Sequence, residues 1–181
     1  VPLKWFSWSD KSGPCWFLFP HTIDLITWIS GEKVKKVYGI GKKEILKSYG
    51  LDIYDTVTGI LDFGKFYATV ETSWIIPQSW PSISDFYFKV EGSKGRIDAD
   101  LRDIGLRIAS DIKKEFETPS YIGYTPTYGK PQGFAPLPIV YFVDCILENK
   151  KPFISPEDGL ENVKIISSIL QSVETGKIVE F

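Results

Sequence analysis

Residues 54–74 read YDTVTGILDFGKFYATVETSW. Val57, Leu61 and Phe63 alternate with polar residues, and Phe66, Ala68 and Val70 repeat the alternation beyond Gly64-Lys65. A period of two sends successive side chains to opposite faces, so both halves predict strands with one apolar face each. A two-residue connection opening with glycine suits a tight hairpin, because glycine reaches the positive-φ geometry such turns require.

Working outward, residues 85–101, DFYFKVEGSKGRIDADL, repeat the arrangement. Phe86, Phe88 and Val90 lead into a GSKG turn, and Ile97 and Ala99 follow it. Residues 104–118 have room for one or two more strands. Upstream, VPLKWFSWS is strand-like, DKSGP is a turn, and EKVKKVYGI predicts a further strand. Between them CWFLFPHTIDLITWISG predicts a helix, with Ile23, Ile26 and Ile29 near helical spacing and Gly31 as its stop. Pro20 cannot donate to the helical ladder, so the regular part is expected to begin near it, where proline is tolerated at the first position.

Residues 119–133, PSYIGYTPTYGKPQG, are dense in proline, glycine and tyrosine and lack periodicity, as functional loops often do. Two helices are then expected, over APLPIVYFVDCILENK and PEDGLENVKIISSILQSVETG. The second places Leu160, Val163, Ile165, Ile166, Ile169 and Leu170 on one side, and KIVEF predicts a closing strand. Strand, helix, a run of antiparallel strands and then helices make an α+β pattern: an open, mostly antiparallel sheet with helices packed on one face. With 181 residues, the chain fits a single domain spanning 1–181.

Composition excludes several classes of function. The net charge is −2 and no basic patch stands out, which argues against nucleic-acid binding. No apolar run reaches the roughly 18–20 residues of a membrane span, and no signal peptide is evident. Cys15 and Cys145 are isolated, so buried thiols in a reducing cytoplasm are expected rather than a disulfide or metal site. Gly39-Ile40-Gly41 follows a predicted strand, but Glu44 stands where a dinucleotide fingerprint needs its third glycine. Gly59–Phe66 imitates a phosphate loop, yet Phe66 replaces the hydroxyl residue that would hold magnesium. No other catalytic or metal motif is present.

Three stretches together resemble the C-terminal domain of the glucose–fructose oxidoreductase/inositol dehydrogenase family, Gfo/Idh/MocA. The first is Ser12-Gly13 leading to His21-Thr22-Ile23-Asp24-Leu25 and Trp28. The second is Val90-Glu91-Gly92-Ser93-Lys94-Gly95-Arg96-Ile97. The third runs from Lys151-Pro152 through Glu157-Asp158-Gly159-Leu160 to Ser172, Gly176 and Val179. The resemblance implies a dihydrodipicolinate reductase-like α+β domain serving substrate binding and homo-oligomerisation through the open sheet face. It implies a sugar, polyol or related small-molecule substrate, and NAD or NADP bound mainly by an N-terminal Rossmann domain. That half is absent from these residues, together with its glycine-rich loop and the lysine of its E-K-P motif. The chain is therefore expected to be an excised second domain, inactive alone.

The resemblance also places His21 at the histidine of the family's D-x-x-x-H pair, as proton acceptor. Its aspartate position is Phe17, which can neither orient the ring nor stabilise imidazolium; Asp24 is a possible substitute. On residue type alone, a lone histidine beside Trp16, Phe17 and Phe19 reads as a satisfied core residue rather than a functional one. Further substrate-binding candidates are Lys4 and Trp5 on the first strand, Phe17, and Tyr124 on the long loop, where Tyr121 and Tyr128 offer similar chemistry. Trp74 and Trp80 suit a sheet edge or a subunit contact. The alternative function is a non-catalytic ligand-binding or assembly module of the same fold.

Overall fold

The structure, a computed structural model, describes residues 7–77, 80, 85–102, 108–109, 116–117 and 127–181. They fall into two compact units, Val1–Gln78 with Phe153–Phe181, and Ser79–Pro152. No helix among the described residues is long and apolar enough to cross a membrane.

In the first unit a short 3-10 turn, Ser9–Lys11, leads to α1, Pro14–Ser30. Gly13 caps its start, and Gly31 ends it at φ 65°, its N–H donating to the Thr27 carbonyl. The helix thus begins six residues before the expected start, with Pro14 at its first position and Pro20 in its interior. An interior proline costs roughly 3 kcal/mol and leaves the Trp16 carbonyl without its intrahelical donor. Cys15 and Phe19, both upstream of Pro20, are fully buried together with Ile23. Burying a large apolar side chain contributes roughly 1.5–3 kcal/mol, so the packed face outweighs the broken bond.

The sheet has the order β3-β2-β1-β8, from Tyr67–Ser73, Thr56–Asp62, Lys36–Lys42 and Val179–Glu180, with every pairing antiparallel. The expected hairpin forms: Gly64 sits at φ 85°, the Phe63 N–H donates to the Phe66 carbonyl, and the two rings stack at 4.5 Å. Val37, Gly39, Val57, Gly59, Leu61, Val70 and Thr72 face inward and are buried. Tyr38, Ile40, Ile60 and Tyr67 alternate onto the other face, where Ile40 and Tyr67 are exposed.

α1 and α4, Pro156–Thr175, cover the inner face and complete one core with Phe19, Ile23, Phe63, Ile165, Ile166 and Ile169. At the start of α4 Ser155 and Asp158 form a reciprocal capping box, which satisfies two orphan N–H groups. The buried stripe of α4 is Ile165, Ile166, Ile169 and Ser172, whereas Leu160 and Val163 are exposed. The apolar pattern is longer than the sheet beneath it.

β1 and α4 approach closely because Gly39 has no side chain: a Cβ there would lie 2.5 Å from the Ile169 carbonyl oxygen. Where β8 no longer pairs with β1, the Ser172 hydroxyl accepts from the Gly39 N–H at 2.9 Å and donates to the Lys177 carbonyl. The short α2, Ile45–Ser48, is held by buried Asp55, whose carboxylate accepts from the Glu44, Ile45 and Leu46 N–H groups at 2.7 Å each. Burial opposes the Asp55 charge, but these three donors outweigh it and hold the carboxyl below its ordinary value.

In the second unit β4, Tyr87–Gly92, and β5, Gly95–Asp100, form the second expected hairpin. Arg96 bridges Glu91 and Asp98 across its surface. β6, Ile108–Ala109, pairs with β7, Phe116–Glu117, and α3, Leu137–Leu147, buries Cys145.

Candidate functional site

The core face of α1 carries Cys15, Phe19 and Ile23, and a different set of residues faces away from it. Phe17, His21, Asp24 and Trp28 follow at i, i+4, i+7 and i+11, so at 3.6 residues per turn they form one stripe. His21 is exposed, which removes the buried-core reading of this histidine.

His21, Asp24 and Trp28 line an open cleft of ≈ 370 Å³ together with Ile154, Gly159 and Asn162. Pro20 and Leu25 complete its walls. Among the described residues no side chain hydrogen-bonds the His21 ring, so Asp24 shares the cleft with it without a direct bond. The ring nitrogens therefore remain available to a ligand: a neutral imidazole presents one donor and one acceptor. Asp24 adds a carboxylate one helical turn away, and Trp28 and Ile154 supply apolar wall. A cleft with a few convergent polar groups among aromatic and aliphatic side chains is suited to a small hydroxylated molecule.

Asn162 enters this cleft from α4. Its amide nitrogen donates to the Pro20 carbonyl at 3.0 Å, while its buried Oδ1 has no hydrogen-bond partner. Sequence reasoning missed this residue. The available signal was a polar side chain one position before Val163, at the edge of an otherwise apolar stripe.

At the other end of the stripe Phe17 meets two tryptophans. Its ring centroid is 6.1 Å from Trp8, tilted by 36°, and 6.1 Å from Trp74 in an edge-on arrangement. Trp74, read from sequence as a sheet-edge or subunit contact, directly follows the edge strand β3 and is partly buried, packing on Leu46, Leu51 and Ile53.

Lys4, Trp5, Tyr121 and Tyr124 lie outside the described residues. Tyr128 is fully exposed at φ 52° on a turn between Thr127 and Lys130. Burial pushes the Cys15 thiol up to about 12, and so disfavours the thiolate a nucleophile would need. Among the described residues no three His, Cys, Asp or Glu side chains come together as a metal site.

The same residues do not fit a dinucleotide. Gly39 and Gly41 lie within β1, and side chains added there would strike Ile169, Val173 and Tyr54. These glycines serve strand–helix packing rather than the strand-to-helix turn that receives a pyrophosphate.

Comparison with known proteins bears on the family and the fold. The sequence model described as the GFO/IDH/MocA C-terminal domain matches residues 2–98. No curated protein matches the chain. Among solved structures, myo-inositol 2-dehydrogenase from Lactobacillus plantarum superposes with a TM-score of 0.75 at 19% identity, covering 99% of this chain and 53% of that one. GenD2 from gentamicin A biosynthesis, in complex with NAD, gives 0.78 at 18% identity, over 97% and 51%. Scyllo-inositol dehydrogenase from Lactobacillus casei, with bound NAD(H) and scyllo-inositol, gives 0.66 at 20% identity, over 98% and 52%. The chain spans about half the length of these structures. The likeness is one of fold, a mostly antiparallel sheet covered by helices. By its sequence match and by this fold, the chain belongs to the GFO/IDH/MocA C-terminal domain family of oxidoreductases.

Proposed function

We propose that this chain is the substrate-binding half of an NAD(P)-dependent oxidoreductase acting on a sugar, polyol or related hydroxylated small molecule. The observation that carries the reading is the placement of His21. The ring is exposed on the outer stripe of α1, lines a cleft with Asp24 and Asn162, and is bound by no other side chain among the described residues.

Oxidising an alcohol requires the hydroxyl proton to leave as the carbonyl forms. His21 takes that proton on its unprotonated ring nitrogen, and a base so positioned is worth roughly 10²–10⁴ in rate. Asp24, which lines the same cleft, offers an acceptor for a neighbouring hydroxyl. A nicotinamide cofactor, NAD or NADP, supplies the hydride acceptor when held by an N-terminal Rossmann domain, because these residues offer no cradle for it. Phe17, Lys4, Trp5 and Tyr124 are proposed to contact the substrate, with the chain as a whole acting as one substrate-binding and oligomerisation domain in the cytoplasm.

A second copy of the chain is the proposed partner of the open sheet face, where Tyr38, Ile40, Ile60 and Tyr67 form an apolar band. Light scattering on the purified chain then gives a dimer or larger species, and a strict monomer at high concentration rejects that assembly.

Phe17 in place of a carboxylate favours one competing reading, a ligand-binding module that has kept the fold and not the chemistry. A His21→Asn substitution in the full-length protein separates the two. Loss of turnover by roughly 10²-fold or more supports His21 as base, and unchanged dehydrogenase activity removes it.

A further inference from the structure

The helix α1 is interrupted one residue before the histidine it presents. Pro20 stands inside it, offers no N–H to the Trp16 carbonyl, and crowds that carbonyl with its ring, a common origin of helix kinks. Both sides of this joint are anchored in the core, by Cys15 and Phe19 before it and by Ile23 after it. The joint itself has lost a rung of the ladder, so its geometry depends on what else holds it. The hydroxyls of Thr22 and Thr27 bond carbonyls of α1 itself, at Phe19 and at Ile23 and Asp24. Asn162 reaches in from α4: its amide nitrogen donates to the Pro20 carbonyl at 3.0 Å, across 142 positions of sequence.

The carbonyl chosen is the one that matters for the histidine. It belongs to the planar peptide unit whose nitrogen is the backbone nitrogen of His21, so holding its oxygen fixes the plane from which His21 departs. No side chain among the described residues bonds the exposed His21 ring. Its direction is therefore set by the backbone beneath it and by the walls of the cleft, which Asn162 shares with Asp24 and Trp28. The other end of the amide supports the same role. Asn162 Oδ1 is buried without a hydrogen-bond partner, which costs stability. Leucine is close in size and carries no such oxygen; what it could not supply is the N–H to Pro20.

We propose that Asn162 is a positioning residue for His21: through the Pro20 carbonyl it fixes the proline joint of α1 and so aims the imidazole into the cleft. The inference rests on the oxidoreductase reading for the reaction assayed, and on geometry alone for the tie.

Two measurements test it. His21 is the only histidine of the 181 residues, so its ring C–H protons give isolated NMR signals in the purified chain. Asn162→Ala and Asn162→Leu are both expected to shift these signals. The control is Thr72→Val, which removes a 3.5 Å bond to the Pro14 carbonyl in the first turn of the same helix and leaves the His21 signals in place. In the full-length protein, with myo-inositol and NAD, both Asn162 variants are expected to lower kcat about ten- to a hundredfold while KM changes less than about twofold. In a His21→Asn background Asn162→Ala lowers kcat no further, because the residue it positions is gone. The Ala and Leu variants differ in packing and share only the lost donor, so an effect of general loosening follows their Tm and not the donor. Unmoved His21 signals in both Asn162 variants overturn the proposal whether or not myo-inositol turns over. A kcat loss that repeats in the His21→Asn background overturns it as well, since Asn162 then acts apart from His21. Unchanged turnover in His21→Asn, with the ring signals still moved by Asn162→Ala, overturns the proton-acceptor reading and leaves the positioning tie standing.

Discussion

The side-chain amide of Asn162 donates to the Pro20 carbonyl at 3.0 Å, tying α4 to the turn of α1 that immediately precedes His21. The tie crosses 142 positions of sequence and lies at the edge of the cleft. One such bond contributes about 1 kcal/mol, so Asn162→Ala is expected to lower Tm by about 2–4 °C in thermal melts. Asn162→Asp is expected to cost more at neutral pH, because an ionised carboxylate cannot donate and faces a carbonyl oxygen. Burial and that oxygen raise the folded-state pKa of the introduced group above its unfolded value near 4. The penalty is thus full at neutral pH and recedes as pH falls and the protonated acid donates. Equal melting of the Ala and Asp variants from pH 7 to pH 4 contradicts this account.

Asp55 gives the opposite dependence. Its carboxylate is held below its ordinary value by three backbone donors that outweigh its burial. A depressed folded-state pKa adds stability above the unfolded value near 4, which is lost as pH falls through the folded one. Asp55→Asn, with one acceptor oxygen left, is expected to lose about 1–3 kcal/mol at pH 7 in urea melts. The gap between wild type and variant narrows below about pH 4. A gap that is constant down to pH 3 rejects a charge-dependent role.

Two glycines respond in opposite directions to a methyl group. At Gly39 a Cβ meets the Ile169 backbone oxygen at 2.5 Å, and neither the strand nor the helix can yield without disturbing the core. Gly39→Ala is expected to destabilise by about 1–3 kcal/mol. At Gly159, within α4, a Cβ meets nothing within 4 Å. Gly159→Ala is expected to stabilise by up to about 1 kcal/mol through helix propensity. Denaturant midpoints of both variants decide, and a neutral Gly39→Ala contradicts the close approach of β1 and α4.

The parts of this fold that were legible in sequence rest on local physics. Alternation about Gly64-Lys65 and about Ser93-Lys94 encodes two hairpins, and both form. Periodicity and the glycines Gly31 and Gly176 bound the two long helices of the first unit. The start of α1 was not legible, because Pro20 penalises the helix locally and the compensation, burial of Cys15 and Phe19, is supplied by distant strands. The exposure of Leu160 and Val163 likewise depends on where the sheet ends. In the site, the resemblance singled out His21 and Phe17. It could not supply Asn162, nor the contacts of Trp8 and Trp74 with Phe17, since these relations to α1 exist only after the chain folds back.

Phe17 and His21 stand one turn apart, which allows a direct test of what the missing carboxylate would do. Phe17→Asp places an acceptor at i to the histidine's i+4, where it can hold one ring N–H and stabilise the imidazolium formed on proton uptake. The substitution also removes the central ring of the Trp8–Phe17–Trp74 cluster. The two consequences act on different kinetic constants. An oriented base acts in the transition state and raises kcat, and loss of the substrate contact proposed for Phe17 weakens ground-state binding and raises KM. In the full-length protein assayed with a cyclic polyol, kcat is expected to rise by about tenfold, the effect of about 1.4 kcal/mol on the barrier, while KM rises by a similar factor. Phe17→Asn, which keeps size and polarity but lacks the charge, raises KM alone. A Phe17→Asp variant whose kcat and KM both stay at wild-type values shows that neither Phe17 nor the histidine acts on the substrate.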